Sequence, residues 1–219
     1  MNSDVKIPAG AATLEGSLGL PRGATVLVLF VHGSGSSRHS PRNQFVARTL
    51  NAAGLATLLF DLLTPEEEAV DMRTAQHRFD ISLLAERLVH ATHWAMDHEA
   101  TRDLRLGYFG SSTGGGAALV AAAELPRDVG AIVSRGGRPD LAGEALPLVQ
   151  APTLLIVGGE DDVVIQLNEQ ARARMHCEVK LEIVPGAIHL FEEPGALERV
   201  AQLTSDWFVQ RTLEKRRTV

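Results

Sequence analysis

The sequence predicts an α/β fold, a mostly parallel central sheet with helices on both faces, in one domain spanning residues 1–219. Short apolar runs alternate with longer amphipathic segments, and turns bearing Gly or Pro separate them. Val26–Val31 is apolar at every position, the mark of a strand buried on both faces rather than one. No stretch reads as a linker, a repeat or a low-complexity segment, and this length suits a single α/β core.

The elements follow in order. Val5-Lys6-Ile7 and Thr13 to Leu20 form an antiparallel hairpin around Pro8-Ala9-Gly10. After the Val26–Val31 strand, a polar loop from Gly33 to Ser40 leads to a helix over Asn43 to Ala53, stopped by Gly54. Leu55 to Phe60 is the next buried strand, and an acidic stretch follows it in which Glu66-Glu67-Glu68 forms a solvated loop or a helix start rather than a catalytic acid. A helix from about Asp80 to His98 carries Leu84, Leu88, Ala91 and Ala95 on one face. Leu104 to Phe109 is a strand, and a helix runs from about Ser112 to Glu124. Strands at Ala131-Ile132-Val133 and Pro152 to Val157 flank a short helix around Glu144 to Val149. A helix over Val163 to Met175, a strand over Val179 to Val184 and a helix over Gly195 to Leu213 complete the chain. Strands alternating with helices give a parallel sheet whose ligand crevice lies outside the carboxyl ends of the strands.

Composition narrows the class of function. Hydrophobic residues make up 45% and charged residues 22%, the balance of a soluble globular protein. A formal charge of −6 argues against nucleic acid or an anionic membrane as partner. The lone Cys177 can form no internal disulfide, and the N-terminal residues show no signal peptide. A cytoplasmic monomer or homodimer is the expectation.

Gly110-Ser111-Ser112-Thr113-Gly114 matches G-x-S-x-G between a predicted strand and a predicted helix. Glycine two residues either side lets strand and helix approach closely while the central hydroxyl is thrust out of the sheet. Ser112 is therefore the candidate nucleophile. Ser111 cannot centre the motif, since Phe109 and Thr113 stand where glycines would be needed, and it is expected to cap the helix. A serine hydroxyl needs a base to take its proton and a carboxylate to orient that base. Of the downstream histidines, His176 precedes the Val179 strand and falls at the wrong sheet edge, whereas His189 follows it. For the acid, Glu160, Asp161 and Asp162 compete after the Pro152 strand, with Asp161 the first choice and capping of the next helix the alternative role for all three.

These motifs, with His32-Gly33-Ser34-Gly35 and Pro185-Gly186-Ala187-Ile188-His189-Leu190-Phe191, resemble the dienelactone-hydrolase-like branch of the α/β hydrolases over nearly the whole chain. No insertion long enough for a lid domain lies between the Ala131 and Pro152 strands. The resemblance implies an α/β-hydrolase fold. It selects Asp161 as the acid, three residues before the Val164 of Gly159-Glu160-Asp161-Asp162-Val163-Val164. Dienelactone hydrolases proper use a cysteine nucleophile, whereas this elbow carries serine. An oxyanion hole takes one N–H from the residue after the nucleophile, here Thr113. Similarity to the family's HGxG loop makes Ser34 the second donor.

Arg38, His39 and Arg42 follow the oxyanion loop, and Arg135 and Arg138 follow the Ala131 strand, all on the expected active edge. Arg38 or Arg135 is a candidate for recognising a substrate carboxylate or phosphate. The competing reading pairs Arg135 with a nearby acid such as Asp140. His90, His93 and Asp97 share a helix face but have no further ligand in sight, so no metal is expected, and no organic cofactor is implied. The resulting expectation is hydrolysis of small or medium acyl esters through an acyl-enzyme. The alternatives are thioester hydrolysis or acyl transfer by the same triad, amide hydrolysis, and a non-catalytic binding protein.

Overall fold

In the computed structural model, residues 2–214 are described, and eight strands form one sheet in the order β1-β2-β4-β3-β5-β6-β7-β8. The strands are β1 (Asn2–Ala9), β2 (Ala12–Gly19), β3 (Val26–Val31), β4 (Ala56–Phe60), β5 (Arg105–Ser111), β6 (Val129–Arg135), β7 (Thr153–Gly158) and β8 (Val179–Val184). From β4 to β8 the pairing is parallel throughout, while the hairpin β1–β2 joins β4 antiparallel. The helices are α1 (Pro41–Ala52), α2 (Pro65–Thr74), α3 (Ile81–Asp97), α4 (Thr113–Glu124), α5 (Asp162–Arg174) and α6 (Ala196–Glu214).

The continuous apolar strands sit where their composition requires. Every residue of β3, β4 and β7 is buried, because helices cover both faces. On one face Leu27, Leu29, Leu58 and Tyr108 pack with Leu84 and Leu88 of α3 and Leu119 of α4. On the other, Val28, Phe30, Phe109 and Val133 meet Val46 and Leu50 of α1 and Trp207 and Phe208 of α6. Tyr108 keeps its hydroxyl satisfied inside the first layer by a 2.6 Å hydrogen bond with Thr92.

The hairpin turns at Gly10-Ala11 rather than around Pro8-Ala9-Gly10, since Pro8 and Ala9 pair with Thr13 and Ala12 inside the ladder. Of the two readings of the acidic stretch after β4, the helix start holds: it opens helix α2, begun by a capping box in which Thr64 Oγ1 accepts from the Glu67 N–H and Glu67 accepts from the Thr64 N–H. The segment between β6 and β7 is a 3-10 helix, Pro139–Leu148, kinked at Gly143, rather than a short α-helix over Glu144 to Val149. Among the described residues no lid domain interrupts the sheet, and no helix is long and apolar enough to cross a membrane.

Candidate active site

The loops at the carboxyl ends of the parallel strands are laced to one another. After β3, the His32 ring accepts at Nε2 from the Leu62 N–H of the loop after β4, 3.0 Å away. The Ser34 N–H of that β3 loop donates to Thr113 Oγ1 at the start of α4, also at 3.0 Å. After β5, the Ser112 N–H donates to the Arg135 carbonyl at 3.3 Å, and the Ser112 carbonyl accepts from the Arg138 N–H at 3.0 Å. After β6, the Gly136 N–H reaches the Ile156 carbonyl of β7 at 2.7 Å, and the loops after β7 and β8 are joined by Asp161 and His189.

Ser112 stands in the tight turn between β5 and α4 with φ 50° and ψ −123°, a conformation that L-residues rarely adopt. Close packing holds it there. A Cβ at Gly114 would lie 2.1 Å from the Val31 carbonyl oxygen, so only glycine lets α4 start this near β3. Ser112 is itself the cap position of α4 and its side chain makes no capping bond, so the hydroxyl is not consumed by the helix. Ser111 does not cap the helix as expected: it is the buried last residue of β5.

Asp161 and His189 are brought together. Asp161 Oδ2 lies 2.8 Å from His189 Nδ1, and the two side chains are 17% and 38% exposed, so the acid is sheltered while the ring stays reachable. With Nδ1 donating to the carboxylate, Nε2 is left as the basic nitrogen. Asp161 occupies the cap position of α5 without a capping bond, while Glu160 and Asp162 are exposed. The capping alternative thus fails for Asp161, whose carboxylate turns to the histidine instead. Gly136, at φ 51°, packs directly on this histidine: a Cβ there would be 3.4 Å from Nδ1. Since the neighbouring Arg135 carbonyl holds the Ser112 N–H, the 135–136 step sets serine and histidine on either side of one strand end.

Thr113 opens α4, so its N–H is among the first-turn donors without an intrahelical partner. Ser34 is adjacent, but its N–H is engaged by the Thr113 hydroxyl. His32, which sequence reasoning treated only as part of a motif, supports this loop. Its Nδ1 bonds the Gly33 carbonyl at 3.0 Å, and burial holds its pKa below the usual value, fixing a neutral ring. A histidine closing an apolar strand just before the glycine loop was the available signal.

The arginines separate sharply. Arg38 pairs with Asp61 and, at 2.6 Å, with Glu15, so its charge is used within the fold rather than left for a substrate. Arg138, not Arg135, takes Asp140, through bonds of 2.8 and 2.7 Å. Arg135 is buried and has no ion pair among the described residues. Beside the loop after β3 lies a cleft of about 570 Å³ bounded by His32, Ser34, Arg38, Asp61, Thr64 and Glu68. Ser34 is where this cleft adjoins the elbow. Among the described residues no group of three His, Cys, Asp or Glu could hold a metal, and His90 instead faces Glu86 at 3.7 Å. Cys177 is half-buried next to β8 at the opposite sheet edge, and burial pushes its thiol pKa up, away from a reactive thiolate.

Residues 24–213 match the family of alpha/beta hydrolase domains. The chain belongs to that family. A crystal structure of a dienelactone hydrolase from Anabaena variabilis superimposes on this hydrolase domain with a TM-score of 0.95 at 60% identity, covering 96% of this chain and 97% of that one. Est1E from Butyrivibrio proteoclasticus shares the fold, with a TM-score of 0.80 at 16% identity over 96% of this chain and 99% of its own. A Mycobacterium tuberculosis protein provisionally named a phosphoribosyl transferase is 56% identical over 208 residues, 95% of this chain but 46% of its own length. The hydrolase domain thus spans about half the length of the curated relatives it matches.

Proposed function

We propose that this hydrolase domain is a serine carboxylesterase acting on small or medium acyl esters. The observation that carries the reading is the 2.8 Å bond between Asp161 and His189, with His189 packed against Gly136 and the adjoining Arg135 carbonyl holding the N–H of the strained Ser112. A binding protein has no need of a histidine oriented by a sheltered carboxylate beside a serine held at positive φ.

In the mechanism, Ser112 Oγ attacks the ester carbonyl carbon as His189 Nε2 takes its proton. Asp161 keeps the ring in the tautomer with the proton on Nδ1 and stabilises the imidazolium that forms. The tetrahedral oxyanion is met by the Thr113 N–H at the positive end of α4, and the Ser34 N–H becomes the second donor by exchanging its bond to Thr113 Oγ1 for one to the oxyanion. His189 returns the proton to the departing alcohol, leaving an acyl-serine. Water then attacks that acyl group, giving its proton to His189, and the acid departs as the proton goes back to Ser112. The open cleft beside Ser34 offers room for the non-reacting part of a modest substrate.

The transferase name carried by the Mycobacterium tuberculosis relative describes a protein of which the matched region is under half. The matched region carries the parts for acyl chemistry, and the reading is confined to it. Turnover of short-chain aryl esters by wild type and Ser111→Ala, with loss in a folded Ser112→Ala, is the expected result. Activity surviving in Ser112→Ala would overturn it.

A further inference from the structure

Strand β6 ends in Ser134 and Arg135, whose side chains leave on opposite faces of the sheet. Ser134 lies against Gly115 of α4 and Gly137. Arg135 therefore enters the other layer, the one in which the preceding same-face residue Val133 packs with Val46, Ala47 and Phe191. Its side chain belongs to a residue only 7% exposed, and Nε and Nη1 are both buried without a hydrogen-bond partner. The acid that could have neutralised it, Asp140, is held by Arg138 on both carboxylate oxygens.

The neighbouring charge makes matters worse rather than better. Burial, and then the like charge of Arg42 in the first turn of α1, push the Arg135 pKa down to about 10, so it stays cationic at neutral pH. Arg42 bonds Glu192 at 2.9 Å, yet its own Nε is also buried and unpartnered. Asn43, next along α1 and 2% exposed, leaves its side-chain carbonyl oxygen unpaired. A fold rarely buries a guanidinium without a partner, because the lost hydration is not replaced. Arg135 is such a cation, on the strand that pairs with β5 at the elbow. The Arg135 carbonyl holds the Ser112 N–H, and the next residue, Gly136, packs on His189.

We propose that Arg135, with Arg42 beside it, binds an anionic group, a carboxylate or a phosphate, carried by the substrate that Ser112 attacks. The proposal rests on the esterase reading only for the chemistry at Ser112. The planar guanidinium fork presents paired donors to either anion, and an anion there supplies the partner the fold omits. The preferred substrate is thus an ester whose acyl or alcohol part bears a negative charge.

The test compares a neutral aryl acetate with an aryl hemisuccinate for wild type, Arg135→Met, Arg135→Lys and Arg42→Ala. Arg135→Met is expected to lower the ratio of kcat/KM for the charged over the neutral ester at least tenfold, chiefly through KM, with partial recovery in Arg135→Lys. In parallel, thermal unfolding of wild type and Arg135→Met is followed in succinate, inorganic phosphate and sodium chloride at matched ionic strength. Wild type should be stabilised by succinate or phosphate beyond chloride, the more effective anion identifying the group, and Arg135→Met should lose that gain. Should Arg135→Met fail to fold, Arg42→Ala, altered in a more exposed side chain, carries the same comparison. Equal losses on both esters with no anion-specific stabilisation would overturn the proposal. If wild type cleaves no ester, the esterase reading fails, and the anion site stands or falls on the unfolding shifts alone.

Discussion

The Ser34 N–H donates to the Thr113 hydroxyl at 3.0 Å, so one candidate oxyanion donor is held by the side chain of the residue that supplies the other. The bond ties the β3 loop to the elbow and leaves the Thr113 O–H proton free to point elsewhere, including toward a developing oxyanion. Thr113→Val removes this link while keeping the Thr113 N–H. It should lower kcat on a short-chain aryl ester by about tenfold to a hundredfold with little change in KM, since the link holds the Ser34 N–H in place for the oxyanion rather than binding the substrate. Thr113→Ser should stay within about threefold. A Thr113→Val enzyme with unaltered kcat would remove Thr113 Oγ1 from the positioning of the hole.

Asp161 is one of three consecutive carboxylates, and its geometry distinguishes it from the others. Asp161→Asn should reduce kcat by about four orders of magnitude by favouring the wrong histidine tautomer. Glu160→Gln and Asp162→Asn, altering exposed side chains that do not meet His189, should remain within about twofold. Steady-state kinetics on the three variants decides the order. Comparable losses in all three would reassign the effect to the local turn.

His32 gives stability a pH dependence. Burial lowers its folded pKa below 6.5, so between that folded value and 6.5 the unfolded chain binds more protons and stability rises with pH. Its contribution is therefore intact above 6.5 and lost as pH falls through the folded pKa. Protonation at Nε2 would also remove the acceptor for the Leu62 N–H. His32→Gln should cost about 1–2 kcal/mol at pH 8 through the disturbed buried bonds, yet flatten the acid-side loss. Urea unfolding at a series of pH values from 8 to 5 measures both; a variant curve parallel to wild type would contradict the assignment.

Gly114 sets the closeness of α4 and β3. A Cβ 2.1 Å from the Val31 carbonyl cannot be accommodated by a side-chain adjustment, because the obstacle is backbone. Gly114→Ala should destabilise by about 3 kcal/mol and abolish esterase activity by displacing Ser112. Denaturant unfolding with activity on the folded fraction checks it, and a wild-type midpoint would show that the turn can relax.

Much of the fold was legible because continuous apolar strands and glycine-bearing turns impose their own order, and the β8 strand, Val179–Val184, was read with its observed bounds. The elbow was legible since Gly110 and Gly114 answer a local steric demand. Helix α2 is legible only as a loop or a helix start because its charged composition gives little apolar periodicity, although Thr64-Pro65-Glu66-Glu67 spells a capping box. The arginine partners were not legible at all. Arg38 finds Asp61 and Glu15, each 23 positions away, only once β2 lies against β4, and that pairing deprives Arg38 of the recognition role the sequence suggested. Arg138 rather than Arg135 takes Asp140 because alternation along β6 turns Arg135 into the interior.

The central claim is that Ser112 is a nucleophile activated by His189 and Asp161, and covalent trapping tests it most directly. After treatment with an aryl or fluoro phosphonate, intact-mass measurement and peptide mapping should find one adduct per chain, on Ser112. The adduct should be absent in Ser112→Ala and form much more slowly in Asp161→Asn. No adduct on wild-type protein, or one on Ser111 or another residue, would contradict the account.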